Sequence, residues 1–246
     1  MLLFSCKQEE RQYTPGERAT VEWNSKNGSD FDKAELLERI IHDTSELERK
    51  LITHGLQNVS DLNPYILVDL KYASTDNFLE QNVYGSINRC YLQPDVAGKL
   101  AHAQAYLDSI RPGYRLLVYD CVRPRSVQQQ MWDILEMPDS AKIKFVSNPK
   151  YGSLHNFGAA VDLTIVDHKG DILDMGTPFD YIGELAYPTK EQELLNSGEL
   201  SQEIIDNRKL LRKVMYRAGF FNIQTEWWHF NSCYRKEAWQ KYKIVE

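Results

Sequence analysis

Two short runs in this 246-residue chain collect side chains able to carry out metal-assisted hydrolysis. Ser153-Leu154-His155-Asn156-Phe157-Gly158-Ala159-Ala160-Val161-Asp162 offers an imidazole and an inner carboxylate. Glu226-Trp227-Trp228-His229 offers a second imidazole, with a carboxylate three residues ahead of it. Two imidazoles and one carboxylate make up the three protein ligands of a catalytic zinc, whose fourth position is left to water. A separate carboxylate is then available to take that water's proton. The expected ligands of one Zn2+ per chain are His155, Asp162 and His229, and the expected general base is Glu226.

Other readings of the same residues stay in view. A lone His-Asp pair is most often structural, and so is a lone Glu-x-x-His; the two together, set among Gly, Ala and Trp, make a stronger case. Two histidines and a carboxylate also form the facial triad of non-haem Fe(II) oxygenases. That arrangement usually places the carboxylate two residues after the first His, and it leaves Glu226 without a role. A metal that only stabilises a binding domain is a third reading. Zinc hydrolysis accounts for the most residues.

The spacing constrains the elements that must position these groups. His155 and Asp162 are seven apart, an odd separation that a regular strand would send to opposite faces. Gly158 permits a turn between them, so a loop should deliver His155 and a following strand, 159–166, should deliver Asp162. Glu226 and His229 raise the same difficulty. A bend just ahead of a strand would lean Glu226 toward the metal, with Trp227 and Trp228 forming pocket walls.

Around these runs the periodicity predicts helices over 34–56, 94–110, 126–135, 202–218 and 236–242. Strands are predicted over 65–70 and 114–120, with a short strand pair within 220–230. Helices and strands alternate without regular βαβ spacing, which predicts an α+β fold: a small, mainly antiparallel sheet with packed helices. Residues 7–33 are polar and aperiodic and read as a tether, leaving 34–246 as the catalytic domain.

A net charge of −6 provides no basic stripe for nucleic acid. No apolar run approaches the ~18 residues of a membrane span. Leu3-Phe4-Ser5-Cys6 resembles a bacterial lipobox, which implies membrane attachment through a lipidated Cys6 and a periplasmic or cell-envelope location. Met1 to Ser5 is too short for a signal peptide, and a chance match would return the chain to the cytoplasm. Cys90, Cys121 and Cys233 form no CxxC pair and are expected to be free and buried. His42, His54, His102 and His168 have no ligand spacing and are expected at the surface. No protein partner is implied.

The pattern Ser-x-His-x-x-Gly-x-Ala-x-Asp followed by Glu-x-Trp-His resembles the VanX-type D-alanyl-D-alanine dipeptidases. They belong to a group of zinc D,D-peptidases that also includes D,D-carboxypeptidases and the hedgehog signalling domain. Tyr72–Phe78, Arg89–Leu92, Tyr119–Pro124 and Met175–Asp180 resemble family stretches in the same order, over roughly 61–246. The resemblance implies zinc on His155, Asp162 and His229, and Glu226 as general base and then acid. It also implies that Arg123 polarises the scissile carbonyl, and that Asp180 and Ser153 hold the substrate's free ammonium. The implied substrate is a small D,D-dipeptide. The chain departs from the pattern at Val122, where the family more often has Tyr, and in the length of 148–152, a loop from which no role is carried over.

Arg123 suits its implied role on physical grounds as well. Pro124 holds it extended at a strand-to-helix junction, and a fixed cation beside a developing oxyanion contributes several kcal/mol. Arg125, one residue beyond the proline, is expected to face water, and Asp120 and Asp76 to be structural.

Overall fold

The computed structural model describes residues 44–246. Cys6, His42, the polar stretch 7–33 and the predicted domain start at residue 34 lie outside the described residues.

In chain order the elements are α1 (Glu46–Thr53), β1 (Gln57–Asn58), α2 (Val59–Leu62), β2 (Leu67–Val68), β3 (Tyr91–Leu92), α3 (Pro94–Ile110), β4 (Arg115–Asp120) and α4 (Arg125–Ile134). They continue with α5 (Asp139–Lys142), β5 (Ala160–Val166), α6 (Glu191–Ser197), α7 (Gln202–Arg217), β6 (Phe221–Asn222), β7 (His229–Asn231) and α8 (Arg235–Lys241). Five strands form one sheet in the order β2-β4-β5-β7-β6. Only the β2–β4 pair is parallel. A separate antiparallel pair joins β1 to β3. The α+β expectation, with a small and mainly antiparallel sheet, holds.

α3 begins at Pro94, whose fixed φ suits the first helical position. Its Val96, Leu100, Ala103 and Leu107 are all buried, and it packs against α7 and β4. Along β5, Val161, Leu163 and Ile165 enter this main core. Asp162, Thr164 and Val166 alternate to the opposite face, where Val166 meets Leu117 and Tyr119.

Several elements differ from expectation. The predicted helix over 34–56 does not run through 44–45, because Ser45 caps α1: its Oγ accepts from the Glu48 N–H at 3.2 Å, and the Glu48 carboxylate accepts from the Ser45 N–H at 3.2 Å. The predicted strand 65–70 keeps only Leu67–Val68 in the ladder. The short elements β1, α2, β3 and α5, and the helix α6, carried no expectation. Among the described residues, no helix is long and apolar enough to cross a membrane.

Candidate metal and substrate site

The central strands set one row of side chains across the sheet. Asp162 on β5 lies directly opposite His229 on β7 and, on its other side, opposite Asp120 on β4. A bulge in β4 makes this possible. Val118 pairs with Leu163, whereas Asp120, two residues on, pairs with Asp162, only one residue back, leaving Tyr119 without a partner. A bulge of this kind re-aims the residue that follows it. Asp120 thereby leaves the face of Leu116 and Val118 and joins that of Asp162.

His155 reaches the row from a single 3-10 turn, His155–Phe157, that stops at Gly158 with φ +63°. A side chain there would meet Leu56 Cδ2 at 3.0 Å and the Gln93 backbone nitrogen at 3.3 Å. The expected arrangement of loop, turn at Gly158 and strand is found. Glu226 lies in the bend before β7, also as expected.

The three candidate ligand atoms lie within 4.8 Å of one another. Asp162 Oδ1 is 2.9 Å from His229 Nδ1 and 3.4 Å from His155 Nε2, and the two ring nitrogens are 3.1 Å apart. Hydrogen-bond partners assign both tautomers. His155 Nδ1–H donates to the Cys121 carbonyl at 2.7 Å, so Nε2 presents its lone pair to the cluster. His229 Nε2–H donates to Asn231 Oδ1 at 2.8 Å, so Nδ1 does likewise. Two lone pairs and a carboxylate oxygen facing one another repel unless a proton or a cation stands among them. This borderline donor set of nitrogen and oxygen suits a divalent transition metal such as zinc.

The charges act in the same direction. Burial alone would raise the pKa of Asp162, but His155 and His229 outweigh it and hold the carboxyl well below its ordinary range. Burial alone would lower His229; Asp162 overcomes that and pushes it up to about 9. Glu226, with Oε2 at 3.9 Å from His229 Nδ1, has its pKa raised by burial and by Asp162, against the pull of His229.

Arg123 is buried, and its Nε and Nη2 donate to Asp120 Oδ2 at 3.2 and 2.5 Å. Its guanidinium lies over the Tyr72 ring, 5.0 Å from the centroid. Asp120 also accepts from Tyr84 Oη and from the Cys121 N–H, so it is structural in the sense of holding Arg123 in place. Arg125 faces outward and pairs with Glu246, and Asp76 pairs with Lys71.

Asp180 takes the left-handed conformation, φ +61°, and accepts from Tyr72 Oη at 2.8 Å. Burial drives its pKa well above the carboxylate range; the Tyr72 hydrogen bond opposes this and the Asp162 charge adds to it. Ser153 Oγ donates to Gln128 Oε1 at 2.8 Å, which leaves its lone pairs to accept from a cation. All seven residues singled out from the sequence (Arg123, Ser153, His155, Asp162, Asp180, Glu226 and His229) line one cleft of about 300 Å³.

One expectation fails: of the two tryptophans only Trp228 walls the cleft. Trp227 lines a different cavity and donates through Nε1 to Thr177 Oγ1 at 2.8 Å, because successive residues ahead of the strand point to opposite sides. Cys90 and Cys121 are free and buried, whereas Cys233 is free but half-buried. His54, His102 and His168 are exposed, as expected.

Three contributors were not found in the sequence. Asn231, two residues after His229 and so on the same face of β7, could have been picked out by strand periodicity. Tyr72 sat in a recognised stretch without a role, and Gln128 carried no local signal at all.

Comparison with known protein families matches residues 52–243 to the family described as D-ala-D-ala dipeptidase. A D-alanyl-D-alanine dipeptidase of Escherichia coli is 32% identical over 178 residues, covering 72% of this chain and 84% of the relative. One from Enterococcus faecalis is 30% identical over 177 residues, covering 66% of this chain and 83% of the relative. The solved structure of a vancomycin resistance D,D-pentapeptidase matches 63% of this chain and 79% of its own at 16% identity, but its TM-score of 0.37 is too low to inform the site. With a family match spanning most of its length and relatives this similar, the chain belongs to the D-Ala-D-Ala dipeptidase family of M15 peptidases.

Proposed function

We propose that the protein hydrolyses D-Ala-D-Ala, or a closely related D,D-dipeptide, with one zinc ion held by His155, Asp162 and His229. The observation that carries this reading is the convergence of three lone-pair donors beside Glu226, in the cleft that Arg123 also lines. Zinc in such a site supplies Lewis acidity, which brings the deprotonation of water within reach near neutral pH. Glu226 takes the proton of the attacking water and returns it to the departing amine. Arg123, fixed by Asp120, faces the oxygen on which negative charge develops. Asp180 and Ser153 hold the free ammonium, Asp180 through a carboxylate whose charge the ammonium itself stabilises and Ser153 through its free lone pairs.

The test is release of D-alanine from D-Ala-D-Ala by metal-replete protein, run beside L-Ala-L-Ala and N-acetyl-D-Ala-D-Ala. Turnover of the free D,D-dipeptide alone is the expected result. Zinc rather than iron in the purified protein, and no dependence on oxygen or an oxoacid, separate this reading from an Fe(II) oxygenase.

One observation favours a D,D-carboxypeptidase as the second reading. A further cavity of about 480 Å³, walled by Phe78, Tyr181, Ile182 and Tyr187, adjoins the cleft and shares Asp180, Glu226 and Trp228 with it. It offers room for a longer stem beyond the substrate's amino end, and cleavage of a blocked tripeptide would move the assignment there. A cell-envelope location with a lipid on Cys6 belongs to the same proposal. Incorporation of labelled palmitate that a Cys6→Ser change abolishes tests it.

A further inference from the structure

A dipeptide is a zwitterion, and the reading above assigns partners to its ammonium but none to its carboxylate. The cleft is polarised in a way that supplies one. Asp180 and Glu226 stand where it opens into the second cavity, whereas Gly152, Ser153, Asn231 and Arg235 line the first cleft alone. In this arrangement Asp180, beside Glu226, takes the ammonium in place of the Asp180–Ser153 pair proposed above, which directs the other terminus away from the two carboxylates, past the metal ligands and toward Arg235.

Arg235 is prepared for an anion. Its Nη2 donates to the carbonyls of Tyr151 and Gly152, the latter at 2.7 Å, which fixes the guanidinium on the turn just before Ser153. That turn needs glycine, since Gly152 has φ +65° and a side chain there would press on Asn156 Oδ1 at 3.3 Å. The Nε and Nη1 donors of Arg235 make no hydrogen bond among the described residues. Nor does Arg235 form an ion pair among them, unlike Arg123 with Asp120, Arg125 with Glu246 and Arg212 with Glu191. An anchored guanidinium whose charge meets no carboxylate among the described residues, and whose Nε and Nη1 still carry free N–H groups, offers a charge-assisted hydrogen bond to a carboxylate. Lys144, the other cleft cation without an ion pair among the described residues, stands at the shared end with Asp180 and Glu226, where a carboxylate would be repelled.

We infer that Arg235 receives the substrate's C-terminal carboxylate and thereby selects free dipeptides over C-terminally blocked ones. This role rests on the dipeptidase reading. The experiment compares D-Ala-D-Ala with D-Ala-D-Ala amide on the wild type, Arg235→Gln and Lys144→Gln, each with measured zinc content and melting temperature. The wild type should prefer the acid by about 10- to 100-fold in kcat/KM, the range of one charge-assisted contact. Arg235→Gln should lose that preference through KM on the acid, with kcat within about threefold and the amide unaffected; Lys144→Gln should keep it. Arg235→Lys, which restores the charge without the guanidinium's anchoring on both carbonyls, should recover part of the preference and serves if the Gln variant does not fold. Equal use of acid and amide by the wild type overturns the role, and so does an unchanged preference in Arg235→Gln. Hydrolysis of neither substrate by the wild type removes the dipeptidase reading and this role together.

Discussion

Asn231 Oδ1 accepts the Nε2 proton of His229 at 2.8 Å, and this one bond determines which nitrogen of His229 faces Asp162. A ligand imidazole whose tautomer is set by such a partner loses about 10- to 100-fold in metal affinity when the partner is removed. Asn231→Ala should weaken zinc by that factor in a chelator-competition titration while leaving the fold intact. Unchanged affinity would show that the imidazole orients itself.

Among the described residues the Glu226 side chain makes no hydrogen bond to the backbone that carries the cluster, so Glu226→Gln should keep the metal. Loss of a general base costs roughly 10²–10⁴ in rate. We expect kcat to fall within that range with full zinc occupancy by elemental analysis. Wild-type turnover in this variant would rule out the proposed base, and loss of zinc would make Glu226 part of the metal site.

Arg123 donates twice to Asp120, a geometry that lysine cannot reproduce. Arg123→Lys should lower kcat by about 10²–10³, the usual loss for an oxyanion-stabilising donor. Arg123→Ala should also lower the melting temperature, because it leaves the buried Asp120 charge unpaired. Thermal melts and steady-state rates on both variants separate the two effects.

The pH dependence follows from His229. Its pKa in the chelated protein is raised to about 9 by Asp162, so a proton occupies the site at neutral pH and must leave when metal enters. Apparent zinc affinity should therefore rise with pH, by up to about tenfold per unit, and level off near pH 9. The stability of the chelated protein should run the other way. A raised pKa contributes stability that is fully present below the ordinary His value and is lost as pH rises through about 9. Melting curves of chelated protein between pH 6 and 10 should show that decline; a flat profile would argue against the His229–Asp162 pairing.

Gly158 combines a φ of +63° with backbone 3.3 Å from where a side chain would begin. Gly158→Ala should cost about 1–3 kcal/mol from conformation alone. Because the same residue ends the turn that carries His155, zinc affinity should fall along with the melting temperature. A stable variant with wild-type zinc binding would show that the turn adapts.

Much of this protein can be read along the chain. The 3.6-residue spacing of Val96, Leu100, Ala103 and Leu107 between Pro94 and Pro112 marks α3, and the dense β-branched run marks β5. Residue type and spacing single out His155, Asp162, Glu226 and His229, the family resemblance adds Arg123, Ser153 and Asp180, and all seven share one cleft. These are local properties, since dihedral preference and burial pattern act over a few residues. The bulge at Tyr119, which brings Asp120 into line with Asp162, depends on how two strands pair, and neither strand's own pattern encodes that register. The Tyr72–Asp180 bond spans 108 positions, and the β1–β3 pair is two residues long on each side, too short for any periodicity to show. The start of α1 at Ser45 is legible as a Ser-x-x-Glu capping signature, but the leucine spacing that runs across it points to a longer helix. What the chain's pattern cannot supply is the register and the tautomer of His155, because both arise from contacts between segments that the fold alone brings together.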